Sequence, residues 1–421
     1  MSAVDFVLYN CSEIVSPVGG RSAQRGQRLG DLRRVERAAL VARAGAIVDW
    51  GPEDQVLRGL VKAPDCLEID ARRRSVIPAF VDPHTHAVFG CVRAGEYADR
   101  IAGKSYRDIA AAGGGIHASV RDLRARSEDE LVALTVERLW KLLAHGTTTV
   151  EIKSGYGLRL DDELKQLRAI QRAAAQVPIR VVSTFLGAHE IPLEFRTQRA
   201  EYVRLVVHEM LPQAVPLAEF NDVFCEPSVF TLAESEEILR AGMQLGLAPK
   251  LHADELETYG GAELACRLGA ISADHLMAVS SAGIQALGAS DTVAVLLPGT
   301  SFGLASRDYA PARMLVQSGA AVALATDFNP GSSHCPSMQA IWSLAGSMLR
   351  LTPAEGLVAC TLNAAVAIRR EAQVGSLEPG KRCDLVVTQG ADYREVPYQF
   401  GVNNASVVVS EGKVVWSEKP L

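Results

Sequence analysis

The sequence predicts an α/β protein: a (β/α)8 TIM barrel with a small flanking β-domain built from both chain termini. Three observations carry that expectation. Eight short apolar runs end at polar residues, helical patterns stand between many of them, and both ends of the 421-residue chain show short alternating strands without long helices. Repeated strand–helix alternation implies parallel βαβ units, and eight such units suffice to close a barrel. Near-continuous apolar runs are what strands covered on both faces require.

In chain order the runs are VIPAFVDPHTH (76–86), TTTVEIKSGYG (147–157), IRVVSTFLGAHE (179–190), DVFCEPSVF (222–230), APKLHADE (248–255), ISADHL (271–276), TVAVLLPGT (292–300) and AVALATDFNPGS (321–332). Helical patterns are read at 128–146, 160–176, 231–246, 258–269, 280–290 and 310–319. Ser127, followed by Glu128 and Asp129, is an N-cap signal for the first, and Gly146 closes it. At the ends of the chain, AALVARAGAIVDWG (38–51), DLVVTQ (384–389) and ASVVVSEGKVVW (405–416) read as strands separated by turns. Either terminal part alone would have a poor core. Residues 1–75 and 373–421 are therefore expected to join in one small β-sandwich-like domain, with the barrel at 76–372.

Composition narrows the function. The chain is 48% hydrophobic and 22% charged, with a net charge of −6, which offers no electrostatic footprint for nucleic acid. Its start, MSAVDFVLYN, lacks a basic region before an apolar core, and no apolar run approaches a membrane span, so a cytoplasmic protein is expected. Eight scattered cysteines without a CxxC read as reduced thiols. The Arg-rich segment 21–37 has no aromatic residue to stack on bases, so it reads as a solvated loop and turn without function.

Barrel active sites are built at the C-terminal ends of the strands. There the sequence puts His84 and His86, Tyr156, His189 and Glu190, His252 with Asp254 and Glu255, Asp274 and His275, then Asp327 and Asn329. Five of nine histidines lie at such ends, a concentration that points to a metal site. A strand alternates its faces with period two, so His84 and His86, at the end of the buried run from Val76, can aim at one spot. With His252 and Asp327 they make a ligand set suited to one divalent ion, zinc or iron. Asp327 would also receive the proton lost by an attacking water. Each residue has a plainer reading. Asp327 alone, before NPGSS, resembles an Asx-turn residue; His145 suits a helix terminus; His208 reads as structural. His117 and His334 receive no role.

Taken together, DPHTHAVFG, AGGGI, EIKSGYGL, FLGAHEIP, HADE, SADHL, LLPG and ATDFNPGSS resemble the amidohydrolase superfamily and, within it, the imidazolonepropionase family. The resemblance implies hydrolysis of 4-imidazolone-5-propanoate to N-formimidoyl-L-glutamate, a step of histidine degradation. It implies His84, His86, His252 and Asp327 as metal ligands. Substrate contacts would come from Arg93, Tyr156, His189, Glu255, Asn329, Gly331 and Ser332. Asp327, His275 and Glu255 would be catalytic, His275 meeting the attacking water or the developing oxyanion. Arg93 would grip the propionate as a bidentate fork. Members with paired metals carry a lysine at the end of strand four; here Lys153 is on strand two, so one ion is expected, with Glu226 the residue able to support a second. A homodimer is what the family suggests. The competing functions are a metal-dependent deaminase or cyclic amidohydrolase acting on another nitrogen heterocycle, and an inactive scaffold barrel.

Overall fold

The computed structural model describes residues 3–104 and 113–419, so Ala112 of the AGGGI motif lies outside the described residues. The terminal segments form one branched sheet. Its strands are β1 (Val4–Pro17), β2 (Leu32–Arg43), β3 (Ala46–Pro52), β4 (Lys62–Asp70) and β5 (Ser75–Pro78), joined after the barrel by β14 (Leu385–Thr388), β15 (Ala405–Ser410) and β16 (Lys413–Ser417). The long β1 pairs with β2 along its length and with β4 and then β5 on its other edge. Phe6, Leu8, Ile14, Leu40, Trp50, Leu385 and Val409 meet in a single buried cluster, so strands from both ends of the chain share one core.

The second sheet is the barrel: β6 (Phe80–Asp82), β7 (Thr147–Lys153), β8 (Arg180–Ala188), β9 (Phe220–Cys225), β10 (Ala248–Ala253), β11 (Ser272–His275), β12 (Val293–Leu296) and β13 (Ala321–Leu324). All eight are parallel and neighbour one another in chain order. Every residue of β7, β10, β11, β12 and β13 is buried, which is why those runs lack alternation. Closure between first and last strand is made at the rim. Thr85 bridges Phe328, the His86 N–H donates to Phe328 O at 2.9 Å, and the Asp327 N–H donates to His84 O at 3.1 Å. Asp82 accepts from the backbone N–H and Oγ1 of Thr326 at 3.1 and 2.5 Å. The seam that shuts the barrel thus also sets Asp327 beside the paired histidines.

The helices follow their local signals. Ser127 caps the helix Glu128–Ala144 through the Glu130 N–H, while the Glu130 side chain returns to the Ser127 N–H. Such a reciprocal cap stabilises by about 1 kcal/mol. Gly146 ends that turn at φ +91°, and a Cβ there would lie 2.9 Å from Val386 of the terminal sheet.

Two expectations change. The run Val76–Val81 is not one strand: Ser75–Pro78 pairs with β1 and β14, and only Phe80–Asp82 joins the barrel. Pro78 has no N–H with which to continue a ladder. The two histidines therefore sit beyond β6, on extended chain pinned by the Thr85 bridge. The Arg-rich segment is not all loop either, because residues from Leu32 onward form β2. Arg33, Arg34 and Arg37 lie on exposed positions of that strand, Arg33 with its guanidinium over the Trp50 ring at 3.9 Å and Arg34 paired with Glu13. Charge masked the strand pattern. All eight cysteines are unpaired.

Candidate active site

Five imidazoles converge at the C-terminal rim. His84 lies 5.3 Å from His86, 4.5 Å from His252 and 5.4 Å from His275, ring centre to ring centre. His189, just past β8, stacks on His86 at 4.9 Å with an interplanar angle of 11°. Asp327 Oδ1 approaches His84 Nε2 at 3.7 Å and His86 Nε2 at 3.5 Å. Three overlapping groups have donor atoms within 4.8 Å of one another: His84, His86 and Asp327; His86, His189 and His252; and His84, His252 and His275.

The donor set fits a cation. Burial holds the His84 and His86 rings well below the usual imidazole pKa, leaving them neutral with lone pairs to give. The Nε2 atoms of His84 and His252 are buried without a hydrogen-bond partner among the described residues. Each such orphan costs about 1–3 kcal/mol, which a shared ion offsets. Backbone strain gathers at the same place. His275 at φ +79° and Asp327 at φ +50° occupy the left-handed region without being glycine, at roughly 1–3 kcal/mol each.

The acids differ in environment. Burial pushes the Asp327 carboxyl up to about 6, opposed by the Thr300 Oγ1 hydrogen bond to Oδ2 at 2.5 Å. Glu255 is raised well above the carboxylate range by burial, with Asp327 and Glu226 adding repulsion, and its Oε2 is 3.5 Å from His275 Nε2. Asp254 points elsewhere. Its carboxylate accepts the N–H groups of Tyr259, Gly260, Gly261 and Ala262 and so builds the start of the helix Gly261–Leu268. Glu226, held in reserve as support for a second ion, is absent from the three donor groups, and its Oε1 accepts the backbone N–H of Glu255 and Leu256 at 2.6 and 3.0 Å. It shapes the loop that carries Glu255.

Around this cluster stand the expected substrate residues. Tyr156 lies 5.8 Å from His86 and 5.4 Å from His189 by ring centres. Its loop is clamped by the helix Leu160–Ala174: Glu163 accepts from Gly155, Gly157 and Leu158, and Gln166 from Tyr156 and Gly157. His189 Nδ1 is bonded to Gly155 O at 2.9 Å, which leaves Nε2 free, and burial lowers its pKa to about 3. Arg93 precedes the helix Ala94–Ile101 and donates its N–H to Pro330 O at 3.0 Å. Its guanidinium lies over Gly331, where a Cβ would fall 1.4 Å from Nη2. Asn329 is used within its own loop: Oδ1 accepts from Gly331 and Ser332 at 2.7 and 2.8 Å, and Nδ2 donates to Asp327 O and Ser332 Oγ.

The remaining histidines stand apart. His145 ends its helix with Nδ1 on Lys141 O, His208 is exposed on the π-helical turn Val206–Met210, and His334 packs on Phe89 and Phe328. His117 is half-buried in the helix Ile116–Ala125. Several supporting residues received no role from the sequence reading: Asp274 was placed at a strand end and Lys153 on strand two without one, and Asp222, Thr300, Glu163, Gln166 and Arg138 were not singled out. Arg138 donates to the carbonyls of Ala87, Phe89 and Gly90, shaping the chain between His86 and Arg93. The available signal was charge inside apolar strand runs, as in EIK and APKLH.

Comparison with known proteins agrees with this geometry. Residues 75–415 match the amidohydrolase family. The chain is 49% identical over 421 residues to an imidazolonepropionase of Symbiobacterium thermophilum, covering 99% of both, and 47% identical over 392 residues to that of Geobacillus kaustophilus, covering 92% of both. Among solved structures, an adenosine deaminase from Xanthomonas campestris superposes with a TM-score of 0.73 at 20% identity, over 98% of this chain and 93% of that one. Guanine deaminase of E. coli gives a TM-score of 0.72 at 13% identity, over 98% and 99%. These distant likenesses establish the barrel alone, whereas the near-full-length relatives establish kinship: the chain belongs to the amidohydrolase family, in the group whose curated members are imidazolonepropionases.

Proposed function

We propose that the protein adds water to the ring carbonyl of 4-imidazolone-5-propanoate and breaks the adjoining amide C–N bond, giving N-formimidoyl-L-glutamate. The observation that carries this reading is the joint presence of a neutral imidazole–carboxylate cluster and, beside it, an arginine seated over a glycine-containing loop. One divalent ion, zinc or iron, would be held by His84, His86, His252 and Asp327. When bound it polarises the carbonyl and brings the pKa of water to ~7.

The chain's own residues do the rest. Arg93 binds the propionate carboxylate, with Tyr156 and the Ser332 hydroxyl completing the anion site and Gly331, lacking a Cβ, making room for the guanidinium. Asp327, with its carboxyl near 6, takes the proton of the attacking water as the C–O bond forms. Glu255, kept protonated by burial, delivers a proton to the departing ring nitrogen as the C–N bond breaks. His275 donates toward the oxygen on which charge grows, a contribution of roughly 3 kcal/mol for one such donor. His189, fixed by Gly155 O, offers Nε2 to a ring N–H. The barrel expected at 76–372 would form the catalytic unit, with 1–75 and 373–421 a structural one to which 76–78 belong through the pairing of β5 with β1 and β14; all the site residues named here come from the barrel unit. A cytoplasmic setting, a homodimer and no nucleic-acid partner belong to the same proposal.

The test follows substrate absorbance and product formation with the wild type, chelated and metal-restored protein, and with Asp327→Asn. Turnover should depend on the ion and fall at least 1,000-fold in the variant, of the order lost when a general base is removed. Ammonia release from an aminopurine or aminopyrimidine without ring opening of the imidazolone would replace this reading with a deaminase. A fully active Asp327→Asn would remove Asp327 as the base.

A further inference from the structure

Beneath the histidine cluster the barrel interior holds five charged side chains with no solvent exposure: Glu151, Lys153, Asp222, Lys250 and Asp274. The proposed reaction assigns none of them a role. Charges this deep are rare unless paired, because desolvating each costs several kcal/mol. Their arrangement is specific. Lys153 Nζ lies 2.8 Å from Glu151 Oε1, 2.8 Å from Asp222 Oδ2 and 3.8 Å from Asp274 Oδ2. Those same two aspartate oxygens face histidines, with Asp222 Oδ2 3.0 Å from His252 Nδ1 and Asp274 Oδ2 2.6 Å from His84 Nδ1.

We propose that Lys153, acting through Asp222 and Asp274, is a positioning residue that sets the tautomers of His252 and His84 together, so that both present an Nε2 lone pair to the ion. An ionised carboxylate only accepts, so the nitrogen facing it carries the hydrogen. The second ring nitrogen of a neutral imidazole is then bare: Nε2 of each ring is buried without a partner among the described residues, His84 Nδ1 is hydrogen-bonded to Asp274, and His252 Nδ1 faces Asp222 Oδ2 at 3.0 Å without an aligned hydrogen bond. One ammonium between the two carboxylates supplies their counter-charge and ties both ligands to a single group. Lys250 anchors the assembly from the other side, donating to Pro83 O at 3.0 Å beside His84 and approaching Asp274 at 3.9 Å. His86 is outside this control: its Nδ1 has no partner among the described residues and its orientation comes from stacking on His189. The inference rests on reading the rim as a metal centre.

Asp222→Asn is the sharpest perturbation. Asp222 Oδ1 accepts the N–H of Val223 at 2.7 Å and of His252 at 3.2 Å, while Oδ2 faces Lys153 Nζ at 2.8 Å, so an amide nitrogen in the Oδ2 place keeps the two backbone bonds and gives up only the one to Lys153. There it donates to His252 Nδ1, which forces the hydrogen onto Nε2 and blocks the lone pair. Titration of metal-free protein with Zn²⁺ against a chromophoric chelator should show binding weakened about 10–100-fold, as for other outer residues of metal sites. In the same protein, side-chain ¹⁵N spectra of labelled histidines should report Nδ1–H on His252 and His84 in the wild type and Nε2–H on His252 in the variant. Lys153→Met should disturb both rings, and Asp274→Asn His84 alone. Unchanged Zn²⁺ affinity with an unchanged His252 tautomer in Asp222→Asn overturns the proposal. Should the variants fail to fold, the wild-type spectrum still decides, since an Nε2–H on either His84 or His252 contradicts it. A wild type that takes up neither Zn²⁺ nor Fe²⁺ yet shows both Nδ1–H signals would sink the metal reading and leave the tautomer assignment standing.

Discussion

Gly331→Ala isolates the anion site from the rest of the catalytic machinery. A methyl group at Gly331 would sit 1.4 Å from Arg93 Nη2, 2.3 Å from Cζ and 2.7 Å from Nε, so the guanidinium must leave its seat. The three nearest atoms all belong to the Arg93 guanidinium, and the backbone there is outside the left-handed region, so the group that must move is the free end of a flexible side chain. Folding stability should therefore change by less than about 1 kcal/mol. Binding should suffer more. A charge-assisted hydrogen-bonded pair contributes about 1.5–3 kcal/mol, which converts to roughly a 10–100-fold loss in kcat/KM, carried by KM with kcat nearly intact. Steady-state kinetics on imidazolone-propanoate and a thermal melt measure both quantities. The double variant Gly331→Ala with Arg93→Ala should be no worse than Arg93→Ala alone, because both remove one interaction. A wild-type KM in Gly331→Ala would refute the idea that Arg93 grips the propionate from that seat, and full additivity would show that Gly331 acts through another group.

Glu163→Ala strips the acceptor from three buried N–H groups, those of Gly155, Gly157 and Leu158, and should destabilise the protein by about 3 kcal/mol or more in urea unfolding while raising KM through Tyr156. Asp82 makes a pH prediction for metal-free protein. Burial raises its carboxyl to about 7 against an ordinary value of 3.8, so the folded state binds the proton more tightly than the unfolded chain. Its contribution is fully present below pH ~4 and is lost as pH rises through 7, up to roughly 4 kcal/mol in all. Asp82→Asn should flatten that decline, and an unchanged slope would discount Asp82. Saturating zinc at 100 times its Kd should stabilise the folded protein by ~2.7 kcal/mol, read as a rise in Tm that a chelator reverses.

What could be read from the chain without coordinates was whatever local order encodes. The eight barrel strands were legible because burial on both faces leaves runs without alternation, and the helix at Glu128–Ala144 because its capping box is contiguous. His84, His86, His189, His252, His275 and Asp327 were legible because strand ends line up at one rim once a parallel barrel is assumed. Other features were decided in three dimensions. The split at Pro78 depends on β1 and β14 arriving from opposite ends of the chain to pair with Ser75–Pro78. The seat of Arg93 exists because Gly331, 238 positions away, passes beneath it. The choice of which nitrogen His84 and His252 offer is made by Asp274 and Asp222 on other strands, around an ammonium that sequence alone presents only as a lysine in an apolar run. Periodicity reports which face of a segment is buried, whereas hydrogen-bond partners and charge pairs between distant segments depend on distances that only packing sets.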